Sequence, residues 1–204
     1  MYRSAPISRT RRRRIAGFSM VEMAVSLTVL LILTAIAIPT LMRSFRTYQL
    51  NDAAARLADM LKFTRFEAVR QNKQVKFLMM QPSPPAWIIG VDASGNANID
   101  VNEKQEVING FATLLGSGVA PSPTAIIAAL SGASLTTLSG NPGSVTFDAR
   151  GAIRVGGNVS ATIFVFYIGS IADPEFGYRA VILLPSGSTQ IWTAQSGGTW
   201  QQIS

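Results

Sequence analysis

Glu22 stands at the head of an apolar run in which no residue from Met23 to Leu41 is charged. A carboxylate there costs free energy in lipid unless it stays near the interface or meets a cation, so it is a candidate for function. A second set of oxygen donors, Asp92, Ser94, Asn96, Asn98, Asp100 and Glu103, falls at loop positions 1, 3, 5, 7, 9 and 12, with Ile99 at position 8. That is the spacing with which an EF-hand surrounds calcium. Ala97 stands where such a loop needs glycine, and the flanks read as strands, so a polar β-hairpin turn is the simpler account. A third set, Lys62, Arg65, Arg70, Lys73 and Lys76, lies within residues 43–76, where eight basic residues face three acids. It could hold DNA phosphates. Its charges are spread around a helix rather than lined up, which favours a solvated face, or one near anionic lipid or an acidic neighbour. Trp87, Trp192 and Trp200 could line a groove, but aromatic residues in strands go more often to core or interface. Asp148 and Glu175 have serines nearby and no base or oxyanion arrangement readable from spacing.

The chain contains no Cys and no His. That removes disulfides, zinc sites of the Cys/His type, thiol nucleophiles and His-dependent triads together. No catalytic set emerges from the residues, and no cofactor is expected.

The elements that must position these residues follow from composition and period. At 204 residues, 48 % hydrophobic and 14 % charged, the chain is too apolar for disorder and sized for one domain with an appendage. The formal net charge of +7 is local. Arg3, Arg9 and Arg11 to Arg14 lie in an N-terminus without acids, and the rest of the chain carries twelve basic against eleven acidic residues. Residues 18–42 are long enough to span a bilayer as a helix, and the arginines before them set the N-terminus in the cytoplasm and the rest outside it. A secretory signal peptide shares the basic start, but its apolar stretch is shorter and ends in a small-residue cleavage site.

Beyond Pro39, Leu50, Ala53, Ala54, Leu57, Leu61, Thr64 and Ala68 form one apolar stripe, with Asp52/Arg56, Asp59/Lys62 and Glu67/Arg70 as supporting pairs off it. The period predicts a helix to about Asn72, continuous with the membrane part and about 80 Å long. Strand-like runs follow at 74–80, 86–91, 144–147, 161–168, 178–184 and 189–193, with a hairpin turn at Pro185-Ser186-Gly187-Ser188. Residues 116–143, rich in Ser, Gly, Pro, Thr and Ala, read as a long irregular insertion with a short helix at 124–130. The fold class is α+β: a long N-terminal helix packed on antiparallel sheet.

The segment Arg14-Ile15-Ala16-Gly17-Phe18-Ser19-Met20-Val21-Glu22 resembles the processing site of type IV prepilins and pseudopilins. The resemblance implies a cut between Gly17 and Phe18 by a membrane peptidase, methylation of the new Phe18 terminus, Glu22 as the assembly carboxylate and Pro39 as the helix-kinking proline. A free amine on one subunit could then neutralise Glu22 of its neighbour. Residues 65–72, Trp87 with the polar turn 92–103, and Ser144-Val145-Thr146-Phe147-Asp148-Ala149-Arg150-Gly151 are similar to the pseudopilin H/FimT family. The chain departs from FimT at Gly187-Ser188-Thr189-Gln190, where Gly-Arg-x-Arg is usual.

The resemblance implies a pilin-like fold divided into a leader at 1–17, a transmembrane and assembly helix at 18–42, its amphipathic continuation at 43–72 and a periplasmic β-rich domain at 73–204. It implies a non-enzymatic minor pseudopilin of a type II secretion system in the bacterial inner membrane. Its partners would be other pseudopilins, the prepilin peptidase and the assembly platform. The retained Glu22 sets the chain apart from the tip pseudopilin K, and its length from the major subunit. The alternative is a FimT/FimU-like minor type IV pilin in pilus priming or DNA uptake.

Overall fold

The computed structural model describes residues 17–138 and 141–203. The N-terminal arginines and the expected leader, apart from Gly17, lie outside them. The chain forms two compact units that part between Met42 and Arg43.

Helix α1 (Met20–Gln71) runs unbroken through Pro39. Proline has no N–H for the ladder, yet the helix continues on both sides of it. The expected stripe is the buried one: Leu50, Ala53, Ala54, Leu57, Leu61, Thr64 and Ala68 are all buried, joined by Ala58 and Met60. The off-stripe pairs also form, with Arg56 Nε 2.8 Å from Asp52 and Lys62 Nζ 3.5 Å from Asp59. The helix stops one residue before the expected Asn72, which takes φ +50° and sits just beyond the end. Asn72 N–H donates to the Val69 carbonyl and Lys73 N–H to that of Ala68, a left-handed cap that satisfies the last carbonyls.

Two sheets follow. The first has the order β3 (Gln105–Ile108), β2 (Ala86–Asp92), β1 (Val75–Ser83), β6 (Gly143–Phe147), β7 (Ile153–Val155) and β8 (Asn158–Val159), antiparallel throughout. The second has β12 (Gln201–Gln202), β11 (Thr189–Ala194), β10 (Tyr178–Leu183), β9 (Ile163–Gly169) and β4 (Thr113–Leu115), with β5 (Leu135–Thr137) running parallel to β9. The buried stripe of α1 shares one core with Val75, Phe77 and Phe147 of the first sheet and Phe164, Phe166, Ile168, Val181 and Leu183 of the second.

Strands β9 and β10 are buried at every position, so their near-continuous apolar sequence marks a sheet covered on both faces. The intervening residues, Ile163, Val165, Tyr167, Ala180 and Ile182, face a second cluster with Ile126, Trp192 and Trp200. Within 116–143 the short helix expected at 124–130 is α2 (Thr124–Ala129), and its Ile126 is fully buried in the outer cluster. The irregular reading of the rest is corrected by strand β5, which the insertion also carries. Of the two readings of the tryptophans, the favoured one holds for Trp192 and Trp200, which are core. Trp200 lies 5.8 Å from the Tyr167 ring and donates Nε1–H to the Pro121 carbonyl at 3.2 Å. Trp87 is half-buried and packs against the inner core.

One buried acid gives this unit a pH dependence. Glu67 accepts hydrogen bonds from Arg70 Nε at 2.9 Å and Nη2 at 2.5 Å, and from Gln71 Nε2. The Arg70 bonds hold its pKa below the ordinary carboxylate value, against the upward push of burial. A folded-state pKa depressed below the unfolded one contributes stability above the unfolded value, and that stability is lost as pH falls through the folded one. Stability is therefore expected to decline from about pH 4.5 downward, and Glu67→Gln to flatten part of that decline. Urea melts of the detergent-solubilised chain at a series of pH values check this; an unchanged slope would refute it. Asp148 keeps some slope in the variant. Burial raises its pKa, but the backbone N–H groups of Ala152 and Arg150 and the charge of Arg154 outweigh that and lower it.

Candidate functional site

Gly17, Phe18 and Ser19 precede α1 and are non-helical, and Phe18 is 78 % exposed. Ser19 caps the helix by accepting the Glu22 N–H at 3.1 Å through Oγ. Glu22 therefore sits in the first turn, where a carboxylate also favours the positive end of the helix dipole. Sequence reasoning assigned Glu22 its place but not this cap. Its signal was the Ser-x-x-Glu spacing ahead of an apolar run.

Every residue from Gly17 to Phe45 is exposed. Few soluble surfaces leave so much contiguous apolar area uncovered, so lipid or other helices must cover it. The hydroxyls inside the stretch are already satisfied within the helix. Ser26 donates to the Glu22 carbonyl at 2.8 Å, Thr28 to Ala24 at 2.9 Å and Thr34 to Leu30 at 2.7 Å. Hydroxyls that bond back one turn can enter lipid without an unmet donor. The Glu22 carboxylate is different: among the described residues no hydrogen bond or ion pair reaches it.

The other candidates resolve differently. The loop from Asp92 to Glu103 joins β2 to β3 and closes on itself. Asp92 accepts from the N–H groups of Gly95, Asn96 and Ala97, and Glu103 from those of Ala93, Ser94 and Asp100. Ser94 Oγ and Asn96 Nδ2 reach Asp100, while Asn98 bonds to Asn96. Ala97 takes φ +62°, the left-handed conformation for which glycine was expected. The acidic oxygens thus hold a hairpin turn together. Among the described residues no group of three or more His, Cys, Asp or Glu side chains is arranged to hold a metal ion.

The basic set is dispersed. Lys62 pairs with Asp59, Arg70 with Glu67, and Lys73 Nζ donates to the Ala93 carbonyl at 2.7 Å. Arg65 crosses two turns, at Gly151 and Gly187, so closely that a Cβ at Gly151 would lie 2.7 Å from its Nε. Lys76 is in β1.

The Type II transport protein GspH family model matches residues 53–187, more than half of the chain, and covers the lower helix and most of both sheets. This chain belongs to the GspH family. The prokaryotic N-terminal methylation motif matches residues 12–38, which include Gly17, Phe18 and Glu22. The GspH-family chain is thus a type IV pilin-like minor pseudopilin, with a long helix carrying an apolar stretch and packed on antiparallel sheets. Such proteins are structural components that assemble with other pilins after prepilin processing. Its methylation motif and apolar helix are those of a membrane-anchored protein.

Two crystal structures of the type IV minor pilin FimU from Pseudomonas aeruginosa are similar. One is 18 % identical with a TM-score of 0.46, spanning 76 % of this chain and 97 % of that one. The other is 17 % identical with a TM-score of 0.33, spanning 77 % and 90 %. Family membership rests on the family models and not on these structures. No curated protein matches the chain.

Proposed function

We propose that the chain is a minor pseudopilin of a type II secretion system, cut between Gly17 and Phe18, methylated at Phe18 and built into a periplasmic pseudopilus for protein export. The observation that carries this reading is the isolated Glu22 carboxylate in the first turn of an exposed apolar helix, four residues beyond an exposed Phe18. An acid so placed is stable in lipid only with a cation brought to it, and the amine released by the cut is one. Residues 1–17 are then the leader, 18–42 the transmembrane and assembly helix, 43–72 its amphipathic continuation and 73–204 the periplasmic domain. The arginines at the N-terminus favour a cytoplasmic start and a single pass through the inner membrane. The partners are other pseudopilins, the prepilin peptidase and the inner-membrane assembly platform.

The export machine is favoured over a pilus by the family description, which names type II transport. A FimT/FimU-like role in pilus priming or DNA uptake is the second reading. Its DNA branch is disfavoured because Lys62, Arg70 and Lys73 are engaged within the domain and Arg65 lies across its turns.

The intact mass of protein recovered from its native membrane tests the proposal. The expected N-terminus is N-methyl-Phe18, and Gly17→Ala should leave the full-length precursor in the membrane. Wild-type material that still begins at Met1 would sink the reading.

A further inference from the structure

Arg179, on β10, is 6 % exposed and shares the strand face of Val181 and Leu183, toward α1. Its Nε donates to Asn51 Oδ1 at 2.6 Å and its Nη1 to the Tyr178 carbonyl at 2.9 Å. No carboxylate lies within ion-pair distance of it among the described residues. A guanidinium taken out of water without a counter-ion is costly, and burial here pulls its pKa down. Arg179 lines a pocket of about 430 Å³ together with Arg43, Thr47, Glu175, Phe176, Thr193 and Gln195. Next to the lining residue Phe176, Gly177 takes φ +80°, and a Cβ there would come 2.5 Å from the carbonyl oxygen of Ala194, another lining residue. Glu175 is within the lining but pairs with neither arginine.

Arg43 fixes the depth of this pocket. It is the first charged residue after Glu22, and the uncharged run between them, at about 1.5 Å per residue, matches a hydrocarbon core of about 30 Å. Arg43 therefore falls in the headgroup layer when the helix spans the bilayer. Two planar guanidinium groups with threonine hydroxyls beside them suit phosphate oxygens better than they suit any neutral group.

We propose that the pocket lined by Arg43 and Arg179 binds the phosphate of an anionic phospholipid headgroup before assembly. This rests on the reading of residues 18–42 as a membrane anchor. A carboxylate of a neighbouring subunit offers similar oxygens, but it arrives only on assembly, whereas the headgroup layer surrounds Arg43 in every inserted subunit.

The test uses the full-length chain in nanodiscs of phosphatidylcholine containing phosphatidylglycerol, extracted into neutral detergent and weighed intact by native mass spectrometry. One phosphatidylglycerol per chain is expected to be retained in preference to phosphatidylcholine. Arg43→Gln, an exposed position that does not threaten folding, should lower retention about fivefold, as should Arg179→Lys, while Lys62→Gln should leave it unchanged. Equal retention by Arg43→Gln, or no preference between the two lipids, would overturn the pocket assignment while leaving the anchor intact. Competition by millimolar orthophosphate as effective as lipid would assign the pocket to free phosphate and overturn the lipid source. A chain that does not enter the nanodisc at all would overturn the anchor reading, and this one with it.

Discussion

Glu22→Ala is expected to be cut and methylated at Phe18 like the wild-type chain, yet to fall out of the filament. Removing one partner from an ion pair in a low-dielectric site costs about 3–5 kcal/mol, so incorporation should drop on the order of a hundredfold or more. A purely local role for Glu22 predicts much less. Its first-turn position is worth about 0.3–1 kcal/mol through the helix dipole, and Ser19 Oγ still caps the Glu22 N–H after the substitution because that bond uses the backbone. Glu22→Asp separates the two accounts: it keeps charge and dipole interaction but shortens the reach to a neighbour, and should recover only part of the incorporation. The measurement is the N-terminal mass for processing and co-purification with partner pseudopilins for assembly. Normal co-purification of Glu22→Ala would remove charge pairing from the mechanism.

The long helix and its buried stripe were legible because period needs only local sequence: Leu50 to Ala68 repeat every three or four residues and are all buried. The six longer strand runs were legible for the same reason, with no edge moved by more than three residues. The short strands β3, β4, β5, β7, β8 and β12 were not, since two to four residues carry no readable alternation and their pairing is set from afar. Strand β5 lies parallel to β9 at a separation of 28 residues, from Leu135 to Ile163. Residues 116–143 looked irregular because their role is to cover the outer face of a sheet that the sequence shows only as a continuous apolar run in β9. At the candidate sites, spacing brought the loop acids into view without revealing that backbone N–H groups take their oxygens. Arg179 was passed over because nothing local marks a strand arginine as buried without a carboxylate.

Phe77→Ala is expected to cost about 3–5 kcal/mol, since a fully buried aromatic side chain is replaced by a methyl group in a packed core. Phe77 is the place where the three layers meet. It sits opposite Val91 and Val145 in the first sheet, shares a core with the buried stripe of α1, and meets Phe166 of the second sheet edge-to-face at 6.0 Å and 78°. Against a typical domain stability of about 5–15 kcal/mol, that loss removes a large share of the whole. Val107→Ala, at a half-exposed edge-strand position, is the control and should change stability by about 0.5 kcal/mol or less. Urea unfolding of the detergent-solubilised chains, followed by tryptophan fluorescence, reads both; similar midpoints for the two variants would refute the packing argument. The same variant also divides processing from assembly. The proposed cut between Gly17 and Phe18 lies outside the folded unit Arg43–Ser204, so Phe77→Ala should still yield a methylated Phe18 terminus. If incorporation also needs the folded surface of Arg43–Ser204, it should fall with the folded fraction of the variant even with Glu22 in place, which would separate the folded domain's part in assembly from that of the charge pair.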